Sequence, residues 1–133
     1  SLPVILHCRK AHEEMLSELK AMNDRLEMKI KGVIHCFTGN WKQAQEYLAL
    51  GFYLGFNGII FKMDLEEIIK KTLLEKMLIE TDCPFLTPPQ ATSERNEPIN
   101  VKYVAEKIAE IRGEPINKIA EQTFQNAKIL FGI

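Results

Sequence analysis

Four short apolar runs, each ending near polar residues, constrain the fold of this 133-residue chain more than any other feature. They cover residues 2–7, 32–36, 51–56 and 76–82. Three of them lack the alternation of a half-exposed strand, which is typical of strands covered on both faces in a parallel sheet. Helical patterns separate the runs, and strands alternating with helices predict an α/β fold with a parallel sheet, doubly wound or part of a barrel.

The helical segments carry their own signals. One face of residues 12–28 presents Met15, Leu19, Met22 and Leu26. This spacing predicts an amphipathic helix that packs on the sheet. Asn40 with Gln43, and Asp64 with Glu67, have the spacing of capping boxes at helix amino termini. An irregular segment with four prolines follows the fourth run, and further helical patterns complete the chain.

Composition narrows the class of protein. Charged residues make up 26% and hydrophobic residues 46%, and no apolar run approaches the ~18 residues of a spanning helix, so a soluble domain is predicted. The formal net charge of −1 gives no general attraction for nucleic acid, and any phosphate partner must be held locally. Three widely spaced cysteines without a CxxC pair favour a reducing compartment, and we therefore predict a cytoplasmic location.

Residues able to carry chemistry stand at the ends of three runs. They form three pairs: His7 and Cys8, His35 and Cys36, Asp82 and Cys83. The carboxyl ends of parallel strands form one edge of the sheet, so the pairs are predicted to gather there. Neighbouring residues on a strand point to opposite faces, so only one member of each pair can face a common site.

Burial decides which member faces the site. A free cysteine packs well against helices, whereas a buried imidazole or carboxylate without a partner costs several kcal/mol. We therefore predict that His7, His35 and Asp82 face the site and that the cysteines pack against the helices. The opposite assignment is a zinc site of three thiolates, and it is disfavoured because it leaves three polar groups facing the helices.

Two imidazoles and a carboxylate on three strands have the composition of a half-open site for zinc, manganese or a similar divalent ion. Such a site can generate hydroxide near neutral pH and lets a carboxylate act as general base. The alternative is structural: a histidine at a strand end is often only hydrogen-bonded, and an aspartate before Cys-Pro can cap a turn.

Several motifs occur in a specific order along the chain: PVILHCR, GVIHCFTG, IETDCPFLTP, ERNEP and QNAKILF. Together they resemble the TatD family of metal-dependent deoxyribonucleases, which belongs to the amidohydrolase-type barrels. The resemblance implies that His7, His35 and Asp82 are metal ligands and that Asp82 also positions or deprotonates the attacking water. It implies divalent metal ions (Mg, Mn or Zn), two in the complete family site, and DNA as substrate.

The resemblance also brings two arginines to the rim of the site. Arg9 follows the first motif, and Arg95 lies in ERNEP. Either could bind a substrate phosphate, but a lone arginine on a loop is more often solvated or structural.

The chain departs from the family in its extent. A complete family barrel has eight strands and roughly 250 residues, and its first half supplies further ligands on the first strand and a bridging glutamate on the fourth. This chain has only three histidines, His7, His12 and His35, and His12 stands at a predicted helix start. The resemblance therefore implies a single partial domain over residues 1–133, the carboxyl-terminal half of a TIM-type (β/α)8 barrel with about four parallel strands, flanking helices and carboxyl-terminal helices.

Half a barrel leaves two unpaired edges and one apolar face. The chain is therefore part of a longer product, or two copies pair as a homodimer through the open face, or a terminal helix covers the face. The predicted function is metal-dependent hydrolysis of DNA, weak or absent without the missing ligands. The alternatives are a metal-dependent hydrolase of another ester or amide and a non-catalytic half-barrel assembly module.

Overall fold

The structure is a computed structural model that describes residues 2–26 and 29–133. The strands are β1 (Val4–His7), β2 (Gly32–His35), β3 (Tyr53–Phe56) and β4 (Met77–Ile79). The helices are α1 (His12–Leu26), α2 (Trp41–Ala49), α3 (Glu66–Lys71), α4 (Val101–Arg112) and α5 (Ile116–Phe131). Short 3₁₀ helices span Gly58–Phe61, Leu74–Lys76 and Pro98–Asn100.

The four strands form one parallel sheet in chain order, β1-β2-β3-β4. His7 is paired with His35 at the carboxyl ends of β1 and β2, and Phe56 of β3 is paired with Ile79 of β4. Helical segments connect successive strands, which brings all four carboxyl ends to one edge. The predicted parallel α/β architecture is confirmed.

The outer face of the sheet packs against the helices in one continuous apolar core. Ile34, Leu54 and Met77 are fully buried in this core, together with Phe56 at the end of β3. These side chains are the outer-face positions of the second, third and fourth apolar runs, and their burial explains why those positions are apolar.

The inner face of the sheet is only partly covered. Val33, Tyr53 and Leu78 pack against Leu130 near the end of α5. Ile5 on the same face is 63% exposed. A terminal helix thus covers part of the open face, one of the three arrangements expected for half a barrel, and pairing of two copies stays a prediction.

Local signals were only partly correct. The Asn40–Gln43 capping box is confirmed, with both of its hydrogen bonds at 3.0 Å. The Asp64–Glu67 box is wrong: buried Leu65 takes the N-cap position, and Asp64 Oδ1 accepts from the backbone N–H of Glu66 instead, at 3.1 Å.

The predicted packing face of α1 is also corrected. The helix buries His12, Leu16 and Leu19, all in its first half, while Met22 and Leu26 are exposed. The apolar side chains in the second half of α1 therefore face solvent rather than the core. Residues 27 and 28, which the predicted helix included, lie outside the described residues. Over the ranges that are described, none of the helices is both long and apolar enough to cross a bilayer.

Candidate metal centre

The carboxyl edge of the sheet brings the three predicted ligands together. The rings of His7 and His35 lie side by side with their centroids 5.6 Å apart. Asp82 follows β4, and its Oδ1 lies 3.4 Å from His35 Nε2. His7 is exposed and His35 and Asp82 are partly buried, so all three are accessible from the edge.

Glu80 organises this edge, and the sequence analysis did not single it out. Its Oε2 lies 2.7 Å from His35 Nδ1, and its Oε1 accepts from the backbone N–H of Cys36 at 2.7 Å and from Asn57 Nδ2 at 3.2 Å. Gly55 gives the carboxylate room, because a Cβ there would lie 3.3 Å from it. The available signal was an acidic residue two positions before Asp82, and therefore on the same face of an extended segment.

The Glu80 contact fixes the chemistry of His35. A carboxylate can only accept, so the proton of a neutral His35 ring lies on Nδ1 and leaves a lone pair on Nε2. In the neutral ring that lone pair faces Asp82 Oδ1, 3.4 Å away, and a cation between the two would satisfy both, whereas a protonated ring would donate to both carboxylates. A carboxylate behind the ligating histidine is a common feature of metal sites.

The set is nevertheless not a closed metal shell. Within residues 2–26 and 29–133, no three His, Cys, Asp or Glu side chains already stand in positions to hold a metal ion. His35 and Asp82 form a converging pair, and His7 lies beside them without completing the shell. The donor chemistry therefore fits half of a divalent-metal site.

Backbone strain is concentrated around the same edge. Among the described residues, four non-glycine residues have positive φ: Lys10, Cys36, Asp82 and Leu86. All four line one cavity next to His7. Such conformations cost of order 1–3 kcal/mol each and persist where surrounding contacts impose them, often at functional sites. The loops after β1, β2 and β4 are thus held in shapes that stability alone does not favour.

The cysteines behave differently from one another. Cys8 is buried as predicted, but Cys83 is exposed, and Cys36 is partly buried against the cavity rather than packed under a helix. The alternation argument fails after His35 because β2 ends there and Cys36 turns into the left-handed region, with φ 49°. Burial raises the pKa of the Cys36 thiol, which disfavours the thiolate that a zinc ligand requires.

The two arginines are separated by the structure. Arg9 lines the cavity beside His7. Arg95 is exposed on the loop before Asn96, its backbone N–H donates to Ser93 Oγ at 3.2 Å, and it is not among the residues that line the cavity.

The cavity at this edge has a volume of about 590 Å³. Its lining includes the charged or titratable residues His7, Arg9, Lys10 and Asp82 and the apolar residues Ile59, Met63, Phe85 and Leu86. A pocket with a few convergent polar groups and an apolar wall is the usual form of a small-molecule or substrate site.

His12, at the start of α1, also lines the cavity, but it is a structural histidine. It is 6% exposed, and its Nδ1 lies 3.1 Å from the Tyr47 hydroxyl. Burial lowers its pKa, so the ring is neutral. This agrees with the expectation that His12 belongs to a helix start rather than to the ligand set.

Comparison with known proteins identifies relatives of this chain. The family model described as TatD-related DNase matches residues 1–132. The chain belongs to this family. An uncharacterized metal-dependent hydrolase of Bacillus subtilis, YabD, is 43% identical over 136 residues, and the 3'-5' ssDNA/RNA exonuclease TatD of Escherichia coli K12 is 38% identical over 141 residues.

The solved structures agree with the family assignment. The crystal structure of YjjV, a TatD homolog of Escherichia coli, superposes with a TM-score of 0.87 at 30% identity and covers 99% of this chain. This chain covers 51% of YjjV, 52% of YabD and 53% of TatD, about half of each. The half-barrel fold class of the TatD family is therefore confirmed.

Proposed function

We propose that residues 1–133 are the carboxyl-terminal half of a TatD-type barrel and contribute half of the active site of a metal-dependent phosphodiesterase acting on DNA. Membership of the family and the names of the relatives support hydrolysis, and the exonuclease name of TatD from Escherichia coli supports a nucleic acid substrate. A cytoplasmic location stays a prediction.

The observation that carries this proposal is His35, held between two carboxylates. Glu80 lies 2.7 Å from its Nδ1 and Asp82 lies 3.4 Å from its Nε2. We propose that His7, His35 and Asp82 hold a divalent ion, Mg, Mn or Zn, with two ions in the complete site. Such an ion would lower the pKa of a bound water and neutralise negative charge on a phosphate.

Three residues of the site would have separate roles in hydrolysis. Asp82 would accept the proton of the attacking water, because its carboxylate is partly exposed and lies against the cavity. Glu80 would hold the His35 ring with the lone pair on Nε2, and the Cys36 N–H and Asn57 amide would keep Glu80 in place. Arg9, at the rim, would pair with a substrate phosphate.

Native mass spectrometry with added Mn²⁺ or Zn²⁺ tests the metal site. We expect the wild-type chain to bind metal weakly and the H7A/H35A/D82A variant to lose that binding. Asp24→Ala, on the exposed side of α1, is the control variant and should bind as the wild type does. Equal metal binding by the triple variant and the wild type would refute the ligand assignment.

Hydrolysis is expected to be weak in this chain, because the resemblance implies that further ligands and a bridging glutamate belong to the other half of the barrel. Robust metal-dependent cleavage of single-stranded DNA by the 133-residue chain would contradict this expectation. A panel of ester and amide substrates separates the phosphodiesterase from the alternative hydrolase, since YabD is described only as a metal-dependent hydrolase.

A further inference from the structure

The apolar wall of the cavity contains side chains that folding alone leaves exposed. Phe85 is 68% exposed and Met63 is 41% exposed, and Ile59 and Leu86 continue the same wall. Single exposed apolar residues are ordinary, but this group lines one cavity beside Asp82. The wall therefore has the character of a binding surface.

Phe85 is held firmly despite its exposure. Its backbone N–H donates to the Asp82 carbonyl oxygen at 3.0 Å, and buried Asn96 donates from Nδ2 to the Phe85 carbonyl oxygen at 2.7 Å. The backbone of the next residue lies close against Gly58, because a Cβ at Gly58 would collide with the Leu86 carbonyl oxygen. The aromatic ring is thus presented on a fixed turn that begins at the proposed catalytic aspartate.

Cationic residues also line the cavity. They are Arg9 and Lys10, and Lys10 adopts a left-handed backbone conformation with φ 57°. A ligand that combines a flat apolar part with nearby negative charge therefore fits this lining. A nucleotide at the end of a single strand has this combination, whereas a base inside a duplex has both faces stacked and cannot reach Phe85.

We propose that the Phe85 ring, in the cavity that Met63 also lines, stacks the base of the nucleotide whose phosphate lies at Asp82. This inference rests on the proposed function, because it names the part of a nucleic acid substrate that the same cavity recognises. Stacking of any base on an aromatic ring is tolerant of sequence, so the site selects unpaired ends rather than a particular base.

Fluorescence anisotropy with a dye-labelled, phosphorothioate-linked oligothymidylate in the presence of Mn²⁺ tests the proposal. Phe85→Ala should weaken binding about 5- to 150-fold, from the ~1–3 kcal/mol typical of base–aromatic stacking, and Phe85→Trp should retain it. Phe124→Ala is the matched control, because Phe124 is a 60% exposed phenylalanine on α5 that does not line the cavity. An abasic oligonucleotide of the same length should bind wild type and Phe85→Ala equally.

Two outcomes separate this inference from the proposed function. If the wild type binds oligothymidylate and Phe85→Ala binds it equally well, or if Phe85→Ala loses the abasic strand to the same extent, base stacking on Phe85 is refuted alone. If the wild type binds neither oligonucleotide, the nucleic acid substrate is refuted and the base-stacking inference with it.

Discussion

The outer face of the sheet and its carboxyl edge are built from different interactions. The outer face buries Ile34, Leu54 and Met77 in a continuous apolar core. The edge depends on hydrogen bonds from a few side chains, Glu80 and Asn96 above all, and on residues with strained backbone. The core therefore supplies stability, whereas the polar contacts at the edge set the geometry of the site at a cost in backbone energy.

The largest effect is expected in the core. Leu54→Ala removes a fully buried side chain from the centre of the sheet and should lower the free energy of unfolding by about 2–5 kcal/mol. Ile5→Ala, on the exposed part of the inner face, should change it by no more than about 0.5 kcal/mol. Urea denaturation measures both, and equal losses would break the distinction between the two faces.

Loss of the Asn96 hydrogen bonds at the edge should lower stability less than Leu54→Ala does. Asn96 donates from Nδ2 to the carbonyl oxygens of Thr81 and Phe85, at 2.9 and 2.7 Å, so Asn96→Ala leaves two partly buried acceptors unpaired. We expect a loss of about 1–3 kcal/mol in the free energy of unfolding. Asn117→Ala at an exposed position on α5 is the control. Hydrogen exchange should also quicken at Phe85, and unchanged exchange there would show that Asn96 does not hold the loop.

Glu80→Gln should alter the site more than the fold. The glutamine side chain can still accept from Cys36 N–H, but its amide donates to His35 Nδ1 and so moves the ring proton to Nε2. Metal affinity should fall about 10- to 100-fold, as for other partners behind metal ligands. Exposed Glu75→Gln is the control, and titration calorimetry with Zn²⁺ measures both. An affinity that Glu80→Gln leaves unchanged would contradict the orienting role.

The smallest effect concerns pH. Burial lowers the pKa of His12 below its ordinary 6.5, so the unfolded chain takes up this proton at a higher pH than the folded chain does. Its contribution to stability is present above about pH 6.5 and declines as the pH falls toward the lowered pKa. His12→Phe should flatten the decline between pH 7 and 5 by at most about 1.4 kcal/mol per pH unit. Parallel slopes in wild type and variant would refute this.

How far the sequence predicts this molecule depends on whether a feature is repeated or singular. Each of the four apolar runs indicates a buried strand. Together they predict the parallel sheet and the position of His7, His35 and Asp82 at one edge of it. Glu80 was missed because a single acidic residue inside a run acquires its role only through contacts with β2 and β3.

The errors at Cys36 and Asp64 have a common cause. A left-handed residue directly after β2 ends the alternation of side-chain directions, and the buried position of Leu65 delays the start of α3 by one residue. In both cases tertiary packing sets where the strand or helix begins or ends, and the spacing of residues in the sequence does not predict it.

Imidazole ¹⁵N NMR of the chain during titration with Zn²⁺ is the direct test of the proposed metal site. His7 and His35 report on the proposed ligands, and His12, which is not a proposed ligand, is the internal control. With the proposed ligands, Nε2 of His35 and a ring nitrogen of His7 should shift to values typical of metal ligands, while Nδ1 of His35 keeps its proton toward Glu80 and His12 stays unchanged. Shifts confined to His12, or none at His35 while zinc binds elsewhere, would contradict it.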